Sequence, residues 1–300
     1  MSNPITKSIS VIIPTLNAEK YLPDILSALE TQSYPASEII IVDSASSDKT
    51  VSICESNQNV KLIQIKREDF DHGKTRDMAF RESSGDIVIF MTQDAIPANE
   101  EFICNLIKPL SGKKIAVSCG RQIPKKSASK KEKLIRKYNY PAESHQYGIE
   151  NLTQKGIKSF FCSNVCAAYK REVYFELNGF EYPLKTNEDM LFAAKAINAG
   201  YQIAYAADAL VYHSHNLSLA EQFQRNFNQG YEIERHKEML KGISANPEGL
   251  NFVKYVSFEL IKQGSFISFF SFMLDCMARF LGNKSGKSAL LRTNEQQLRS

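Results

Sequence analysis

Residues 8–43 read SISVIIPTLNAEKYLPDILSALETQSYPASEIIIVD. The mostly apolar run SISVIIP ends at a proline and predicts a buried first strand, and EIIIVD predicts a second. Between them, Tyr21, Ile25 and Leu29 recur at helical spacing, and Asn17 is the expected helix cap. A strand, a helix and a second strand in this order predict a βαβ unit, in which the two strands are parallel.

The same rhythm continues along the chain. Helices are predicted in SSDKTVSICES and in HGKTRDMAFRES, the latter entered through Gly73, and strands in VKLIQIK and DIVIFM. This alternation predicts an α/β fold with a doubly wound, mostly parallel sheet. Further on, NEDMLFAAKAINAG predicts a helix and YQIAYAADALVYH one or two short strands, and the pattern from Leu217 onward is mostly helical. We therefore expect two domains, residues 1–216 and a helical extension at 217–300.

The composition is that of a folded, globular chain. Of 300 residues, 43% are hydrophobic and 23% are charged, which argues against disorder. The six cysteines form no CxxC pair and the N-terminus lacks a signal-peptide pattern, so we expect a reduced, cytoplasmic setting. No run reaches the roughly 18 uncharged apolar residues that a membrane-spanning helix needs.

Positive charge is concentrated in one segment. The net charge is only +4, but residues 121–137 contain eight basic residues and one acidic residue. This segment is either a solvated face or a surface that attracts phosphate-bearing acceptors or anionic lipid headgroups. We expect no nucleic-acid partner.

Three aspartates occur at the ends of apolar runs or at the start of a helix. Asp43 ends EIIIVD, Asp94 follows DIVIFMTQ, and Asp189 begins the helix predicted in NEDMLFAAKAINAG. Acids at the carboxyl ends of strands in an open α/β sheet converge on the crevice where such folds bind ligands. Three carboxylates there can hold a metal, accept a hydrogen bond from a base and take up a proton. That combination indicates sugar transfer from a nucleotide sugar.

The segments SVIIPTLNAEKYLPDILSALETQSYPASEIIIVDSASSDKT, HGKTRDMAF, SGDIVIFMTQDAIP and NEDMLFAAKAINAGY resemble the family-2 inverting glycosyltransferases, which have the GT-A fold. The resemblance spans roughly residues 8 to 215, and HGKTRD with TQDA is most similar to bacterial rhamnosyltransferases. It implies transfer of a sugar, with dTDP-L-rhamnose the leading donor, to a bacterial surface glycan such as O-antigen or capsule. It also implies a lipid-linked acceptor at the inner face of the plasma membrane. Another UDP or dTDP hexose or N-acetylhexosamine remains an alternative donor.

The resemblance also assigns residues to the donor. Asp43 matches the carboxylate that accepts a hydrogen bond from N3–H of uracil or thymine, and as an acceptor-only group it disfavours cytosine. Arg76 matches a basic residue near the base and diphosphate, where a guanidinium can bind phosphate oxygens in a fork. The remaining residues expected to contact the nucleotide sugar are Pro14, Thr15, Asn17, Lys74 and Gln93.

Thr92-Gln93-Asp94 matches the family's D-x-D motif, which implies Mg²⁺ or Mn²⁺ bound across the diphosphate. Thr92 replaces the first acid and removes one charge, so we expect weak metal affinity unless the nucleotide supplies ligands. His213 or, less favourably, His215 in VYHSHN is a candidate additional ligand. A structural histidine in a loop after a strand is the alternative.

Glu188 and Asp189 match the family's E-D pair. The resemblance implies that Asp189 is the catalytic base, which takes the acceptor hydroxyl's proton in a single displacement, and that Glu188 positions the acceptor. The alternative is that both acids simply favour a helix N-terminus.

An apolar stripe marks the C-terminal region, formed by Phe266, Phe269, Phe270, Met273, Met277 and Phe280. It predicts either a helix packed on the catalytic domain or on a second subunit in a homodimer, or a helix lying in a membrane surface.

Two other function classes compete with the transferase. A dinucleotide-dependent oxidoreductase is disfavoured because the first strand leads into PTLNAEKY and not into a G-x-G-x-x-G turn. The other hypothesis is a catalytically silent nucleotide-sugar-binding protein, which remains an alternative because Thr92 replaces the first acid of the D-x-D motif.

Overall fold

The structure is a computed structural model that describes residues 7–214, 217–241 and 248–299, with the backbone alone for 293–299. Its first half alternates strands and helices. These elements are β1 (Ile9–Thr15), α1 (Leu22–Glu30), β2 (Glu38–Asp43), α2 (Thr50–Ser56), β3 (Val60–Gln64), α3 (His72–Glu82) and β4 (Ile87–Met91).

The middle of the chain mixes short strands with helices. Its elements are β5 (Ile96–Pro97), α4 (Phe102–Ile107), β6 (Ile115–Ile123), α5 (Lys130–Asn139), β7 (His145–Tyr147), α6 (Leu152–Lys155), β8 (Cys166–Lys170), α7 (Arg171–Glu176), α8 (Glu188–Asn198) and β9 (Gln202–Tyr212). β9 is one strand of 11 residues, so the prediction of one or two short strands was wrong in length.

Three helices complete the described chain, and these are α9 (Leu219–Arg235), α10 (Glu248–Lys262) and α11 (Phe266–Arg299). The predicted boundary at residue 216 lies outside the described residues, and the division into two domains stays a prediction. None of the helices in the described part of the chain combines the length and apolar character needed to span a membrane. All six cysteines are free thiols.

In the described residues, one sheet of nine strands organises the fold, in the order β3-β2-β1-β4-β8-β6-β9-β5, with β7 added beside β9. The first four strands are mutually parallel, and β6 is parallel to β9. β8 lies between these two groups and is antiparallel to both neighbours. The predicted α/β class is confirmed. The sheet is mixed because β8 returns through it.

Apolar layers cover both faces of the sheet. On one face, Ile12 and Phe90 pack with Phe80 of α3 and Phe192 of α8. On the other, Ile13 and Ile89 pack with residues of α1 and α4. Strands buried on both faces require near-continuous apolar sequence, as in EIIIVD and DIVIFM.

Two predicted helix starts need correction. α1 begins at Leu22, and Asn17 does not cap it. Asn17 adopts a left-handed conformation with φ of 53°, and its Oδ1 accepts a hydrogen bond of 2.9 Å from the Ser47 backbone N–H. α3 is capped by Asp71, whose Oδ1 accepts from the backbone N–H groups of Gly73 and Lys74 at 2.9 and 2.8 Å.

The C-terminal helices attach through close backbone contact. A Cβ added to Gly286 of α11 would lie 2.0 Å from the Phe227 carbonyl oxygen of α9, and one on Gly282 would lie 2.4 Å from that of Phe223. Val256 of α10 and Phe272 of α11 form a small separate core with Leu134 of α5. The helices therefore pack on each other and on the basic helix α5.

Candidate active site

The expected site residues gather at one edge of the sheet. β1, β2 and β4 are parallel and end there, with Asp43 as the last residue of β2 and Asp94 just after β4. β9 also ends at this edge and is followed by His213. Because β8 is antiparallel to β4, the loop before its first residue, which contains Asn164, lies at the same edge.

Asp43 is held rigidly as a hydrogen-bond acceptor. Its side chain is buried, and Oδ1 accepts from Thr15 Oγ1 at 3.1 Å and from Ser46 Oγ at 2.5 Å. Oδ2 accepts from the Ser46 backbone N–H at 2.9 Å. Ser46 was missed by the sequence analysis. Three donors fix the orientation of this carboxylate before any ligand arrives.

Gln93 connects the loops that follow β1 and β4. Its Oε1 accepts from the Leu16 backbone N–H at 2.7 Å, and its Nε2 donates to the Leu16 carbonyl at 3.0 Å. Leu16 lies between Thr15, which contacts Asp43, and Asn17. Asp94 is thereby placed beside the loop that holds Asp43.

Asp94 and His213 form a pair of candidate metal ligands. Asp94 Oδ2 lies 3.4 Å from His213 Nε2. His213 Nδ1 is 2.8 Å from Gln122 Oε1, and this oxygen also accepts from Arg136 Nη1. Since an arginine can only donate, Gln122 Oε1 is an acceptor, and His213 donates to it from Nδ1.

In the neutral ring, Nε2 of His213 therefore presents its lone pair toward Asp94. Burial lowers the pKa of His213, and the nearby charges of Arg136 and Arg225 lower it further, against the opposing effect of Asp94. A carboxylate oxygen beside an acceptor nitrogen suits a divalent cation such as Mn²⁺.

The pair fits a cation only with further oxygen ligands. Among the described residues, no group of three or more His, Cys, Asp or Glu side chains could hold a metal. The Thr92 hydroxyl is buried and has no hydrogen-bond partner in the described chain, but unlike the aspartate it replaces it brings no negative charge. The phosphates of a bound nucleotide would have to complete the coordination.

Glu188 and Asp189 begin α8 and share one partner, Asn164. Asp189 Oδ2 accepts from the Asn164 backbone N–H at 3.0 Å, and Oδ1 accepts from the Met190 backbone N–H at 2.7 Å. The Asn164 side chain donates from Nδ2 to Glu188 Oε1 at 3.0 Å and accepts from Tyr169 Oη at 2.7 Å. The sequence analysis did not identify Asn164 as a site residue.

The surroundings separate the two carboxyl groups in acidity. Burial and the neighbouring Glu188 charge raise the pKa of Asp189 to about 7, against its two backbone hydrogen bonds. Burial also acts to raise the pKa of Glu188, but Arg76, His72 and the Asn164 hydrogen bond outweigh it and hold that pKa below its usual value. A pair separated in this way supplies one fixed anion and one group that gains and loses a proton near neutral pH.

Arg76 contacts the acidic pair and is not open to the solvent. It is 5% exposed, and its Nη1 lies 3.3 Å from Glu188 Oε1 and 3.0 Å from the His72 carbonyl oxygen. Its Nε is buried without a partner among the described residues, which leaves one donor unused. Lys74 lies exposed on the first turn of α3.

The three acids are linked through short contacts along this edge. Asp43 contacts Thr15, and Gln93 joins the next residue, Leu16, to the segment that carries Asp94. The Thr92 backbone N–H donates to the Val165 carbonyl at 3.3 Å, next to Asn164, which binds Asp189. The loops at this edge thus carry a hydrogen-bond acceptor for a base, a pair of candidate metal ligands and a carboxylate that can accept a proton.

Comparison with known proteins agrees with this architecture. The family model for Glycosyl transferase family 2 matches residues 10–177. An O-antigen chain rhamnosyltransferase of Salmonella typhimurium, RfbN, is 39% identical over 281 residues, which cover 93% of this chain and 89% of that protein.

Two solved structures share the fold at low sequence identity. A mannosyltransferase from Pyrobaculum calidifontis in complex with GDP-Man and Mn²⁺ has a TM-score of 0.60 at 18% identity, over 98% of this chain and 81% of its own. Residues 1–349 of Staphylococcus aureus TarS in complex with UDP-GlcNAc give a TM-score of 0.55 at 19% identity, over 94% of this chain and 92% of that one. The chain is a nucleotide-sugar-dependent glycosyltransferase and belongs to glycosyl transferase family 2.

Proposed function

We propose that this protein is an inverting rhamnosyltransferase that uses dTDP-L-rhamnose and extends a bacterial surface glycan of the O-antigen type. The reaction type is carried by the acidic pair, in which Asp189 has a raised pKa beside the buried anion Glu188. The sugar and acceptor are supported by the 39% identity to an O-antigen chain rhamnosyltransferase over most of both chains.

Each residue at the edge has a task in this proposal. Asp43, fixed by Thr15 and Ser46, accepts a hydrogen bond from N3–H of thymine and disfavours bases without that donor. Asp189 removes the proton from the attacking acceptor hydroxyl in a single displacement, and Glu188 positions the acceptor. The other residues proposed to contact the donor are Pro14, Thr15, Asn17, Lys74, Arg76 and Gln93.

Asp94 and His213 would hold Mg²⁺ or Mn²⁺, which supplies positive charge next to the departing diphosphate. Because the described residues supply two ligands, affinity for the metal depends on the nucleotide. We therefore expect weak metal binding in the absence of dTDP and stronger binding in its presence.

Donor hydrolysis, which requires no acceptor, tests this proposal. The purified protein is incubated with dTDP-L-rhamnose, UDP-GlcNAc, UDP-glucose and GDP-mannose, each with Mn²⁺, with Mg²⁺ and with EDTA. The account predicts metal-dependent release of dTDP from dTDP-L-rhamnose above the other donors. Preference for UDP-GlcNAc would identify an N-acetylhexosaminyltransferase. Absence of turnover with every donor, including after addition of surface-glycan acceptors, would leave a nucleotide-sugar-binding protein.

We further propose that the catalytic domain of residues 1–216 works in the cytoplasm while the helices of 217–300 contact the membrane surface. α11 packs on α9 with one face, and its opposite face is exposed. Phe266, Phe270 and Phe280 are 59%, 65% and 66% exposed, and Ile267 is 89% exposed. Most of the predicted stripe is therefore left uncovered by the described residues.

A basic side chain lies at the start of this exposed face. Lys130 Nζ donates to Ser265 Oγ at 3.1 Å, directly before Phe266. The segment around Lys130 also carries the exposed lysines Lys126, Lys133 and Lys137. Aromatic and aliphatic side chains beside lysines suit an anionic bilayer surface.

Liposome sedimentation separates this from a protein contact. We expect binding to vesicles with anionic lipid, and a loss of at least tenfold in the Phe270→Ser, Phe280→Ser double variant. Ile149→Ser, at a 60% exposed site outside this face, is the control. Equal partitioning of the wild type and the double variant would contradict the membrane contact. If light scattering shows a dimer for the wild type and a monomer for the double variant, the face binds a second copy of the chain instead.

A further inference from the structure

A cavity lies outside the acidic edge, among the helices α5, α9 and α11. Its volume is about 730 Å³, and its walls include Arg136 of α5, Gln222 and Arg225 of α9, and Arg279 of α11. Asp43, Asp94, Glu188 and Asp189 are not among its walls. The cavity is large enough for a charged headgroup or a short saccharide.

The carboxylates of this cavity already have partners. Glu132 binds Arg136 Nε at 2.7 Å, and Asp275 binds Lys131. Glu221 accepts from Ser218 Oγ at 2.7 Å in the cap of α9. Of the three acids that line the cavity, Glu132 and Asp275 are paired with cations, and Glu221 is held in the helix cap by the neutral Ser218 hydroxyl.

Two guanidinium groups in the same walls lack such a partner. In the part of the chain that the structure describes, Arg225 makes no ion pair or hydrogen bond. Arg279 faces the Gln222 side-chain oxygen, which accepts from its Nε at 2.5 Å. Burial lowers the pKa of Arg279, and the charge of Arg225 lowers it further, against the opposing charges of Asp275 and Glu132. Two guanidinium groups placed together without a direct ion pair favour an anionic ligand.

The cavity also adjoins the catalytic edge. Arg136 in its wall donates to Gln122, which holds His213 beside Asp94. Arg225 is near enough to His72 to add to the lowering of its pKa, of which burial is the main cause. The wall also includes Ile267, the most exposed residue of the apolar face of α11. The cavity wall therefore contains both a residue of the exposed apolar face and a residue that contacts the catalytic edge through Gln122.

We propose that this cavity binds the phosphate or diphosphate group of an amphiphilic acceptor, with Arg225 and Arg279 as its ligands. This inference rests on the proposed function, since it names the acceptor class of that reaction. The anion would lie between the two guanidinium groups. The lipid chain would extend out of the cavity past Ile267, and the saccharide would extend toward Asp189. A neutral glycan primer would leave both arginines without a counterion.

Calorimetric titration in EDTA tests the proposal directly, because metal-dependent binding at the nucleotide site is then suppressed. The probes are citronellyl diphosphate, as a short lipid-linked diphosphate, and inorganic pyrophosphate, as the free anion. We expect one site for each, with tighter binding of the lipid form, and at least tenfold weaker binding in Arg225→Gln and in Arg279→Gln. Arg292→Gln removes an exposed charge from α11 outside the cavity and should change the affinity less than twofold.

The outcomes are distinct. Binding of pyrophosphate and citronellyl diphosphate with equal affinity would keep the anion site but exclude a lipid contribution from Ile267. Unchanged affinity in both cavity variants, or displacement of the probe by dTDP, would overturn the proposal. Arg225 is exposed, so we expect the Arg225→Gln variant to fold. The test therefore remains possible even if the Arg279→Gln variant fails to fold. Donor hydrolysis measured on the same samples reports separately on the proposed function, because it needs neither arginine.

Discussion

The acidic edge of the sheet and the outer face of α11 represent two ways of building a functional surface. At the edge, Asp43, Glu188 and Asp189 each have hydrogen-bond donors from neighbouring loops, so their positions are fixed before a ligand binds. On α11, the inner face packs closely on α9 at Gly282 and Gly286, while Phe270 and Phe280 on the outer face are exposed. The first arrangement suits chemistry, which needs fixed geometry, and the second suits contact with a partner that varies in shape.

The largest expected effect is at the acidic edge. Asp189→Asn removes the proposed base but keeps the size of the side chain, so we expect kcat to fall by about 10³-fold, within the usual range for a general base. The melting temperature and the dTDP affinity should stay close to those of the wild type. Asp208→Asn, at an exposed position of β9, is the matched control. Activity within fivefold of wild type would end the assignment of Asp189 as base.

The next effect concerns the contact that holds α11. Gly286→Ala gains helix propensity, yet its Cβ would lie 2.0 Å from the Phe227 carbonyl oxygen, so we expect a loss of about 1–3 kcal/mol of stability. Gly249→Ala in α10 meets no atom within 4 Å and should instead stabilise by up to about 1 kcal/mol. Thermal or urea unfolding measures both. If the two changes have the same sign, the close approach of α9 and α11 is wrong.

Asn164 should matter for both stability and catalysis. Asn164→Ala removes one hydrogen bond from Glu188 and one from Tyr169, which costs about 1–3 kcal/mol of unfolding free energy. We expect kcat to fall about tenfold, because the acidic pair is less well positioned, with little change in donor KM. Asn105→Ala, which removes a peripheral hydrogen bond to the Asp208 carbonyl, serves for comparison. Equal kinetics in the two variants would show that Asn164 is only structural.

The smallest effect is a shift in pH dependence. Asp189 must be ionised to act as a base, so kcat/KM should fall as pH decreases through its pKa of about 7. Glu188 raises that pKa, so Glu188→Gln should move the acidic limb of the profile to lower pH, by roughly one unit for each 1.4 kcal/mol of lost repulsion. A limb that stays in place, or moves to higher pH, would show that Asp189 is not the titrating group.

The sequence predicted the sheet and the position of its acids because both follow from simple periodicity. Apolar runs such as EIIIVD form parallel strands, and parallel strands bring Asp43 and the Asp94 segment to one edge. Asn164 and Gln122 could not be found in this way. Each is an amide whose function depends on which side chains meet it across the sheet, and β8 returns antiparallel from a distant part of the chain.

The C-terminal region was less predictable for a related reason. The stripe from Phe266 to Phe280 was recognised, but periodicity alone does not state which face of a helix is covered. Three glycines in α9 and α11 decided this, by allowing the inner face of α11 to approach α9 closely. The cavity with Arg225 and Arg279 likewise exists only because three separate helices meet.

The central claim is that Asp43, Asp94 and Asp189 surround a single pyrimidine diphosphate. A crystal structure of the protein with dTDP and Mn²⁺ tests it most directly. The account predicts thymine N3 within hydrogen-bond distance of Asp43, the metal bound by Asp94 and His213, and the Asp189 carboxylate facing the β-phosphate across an open space. A nucleotide whose base lies away from Asp43, or whose β-phosphate points away from Asp189, would contradict it.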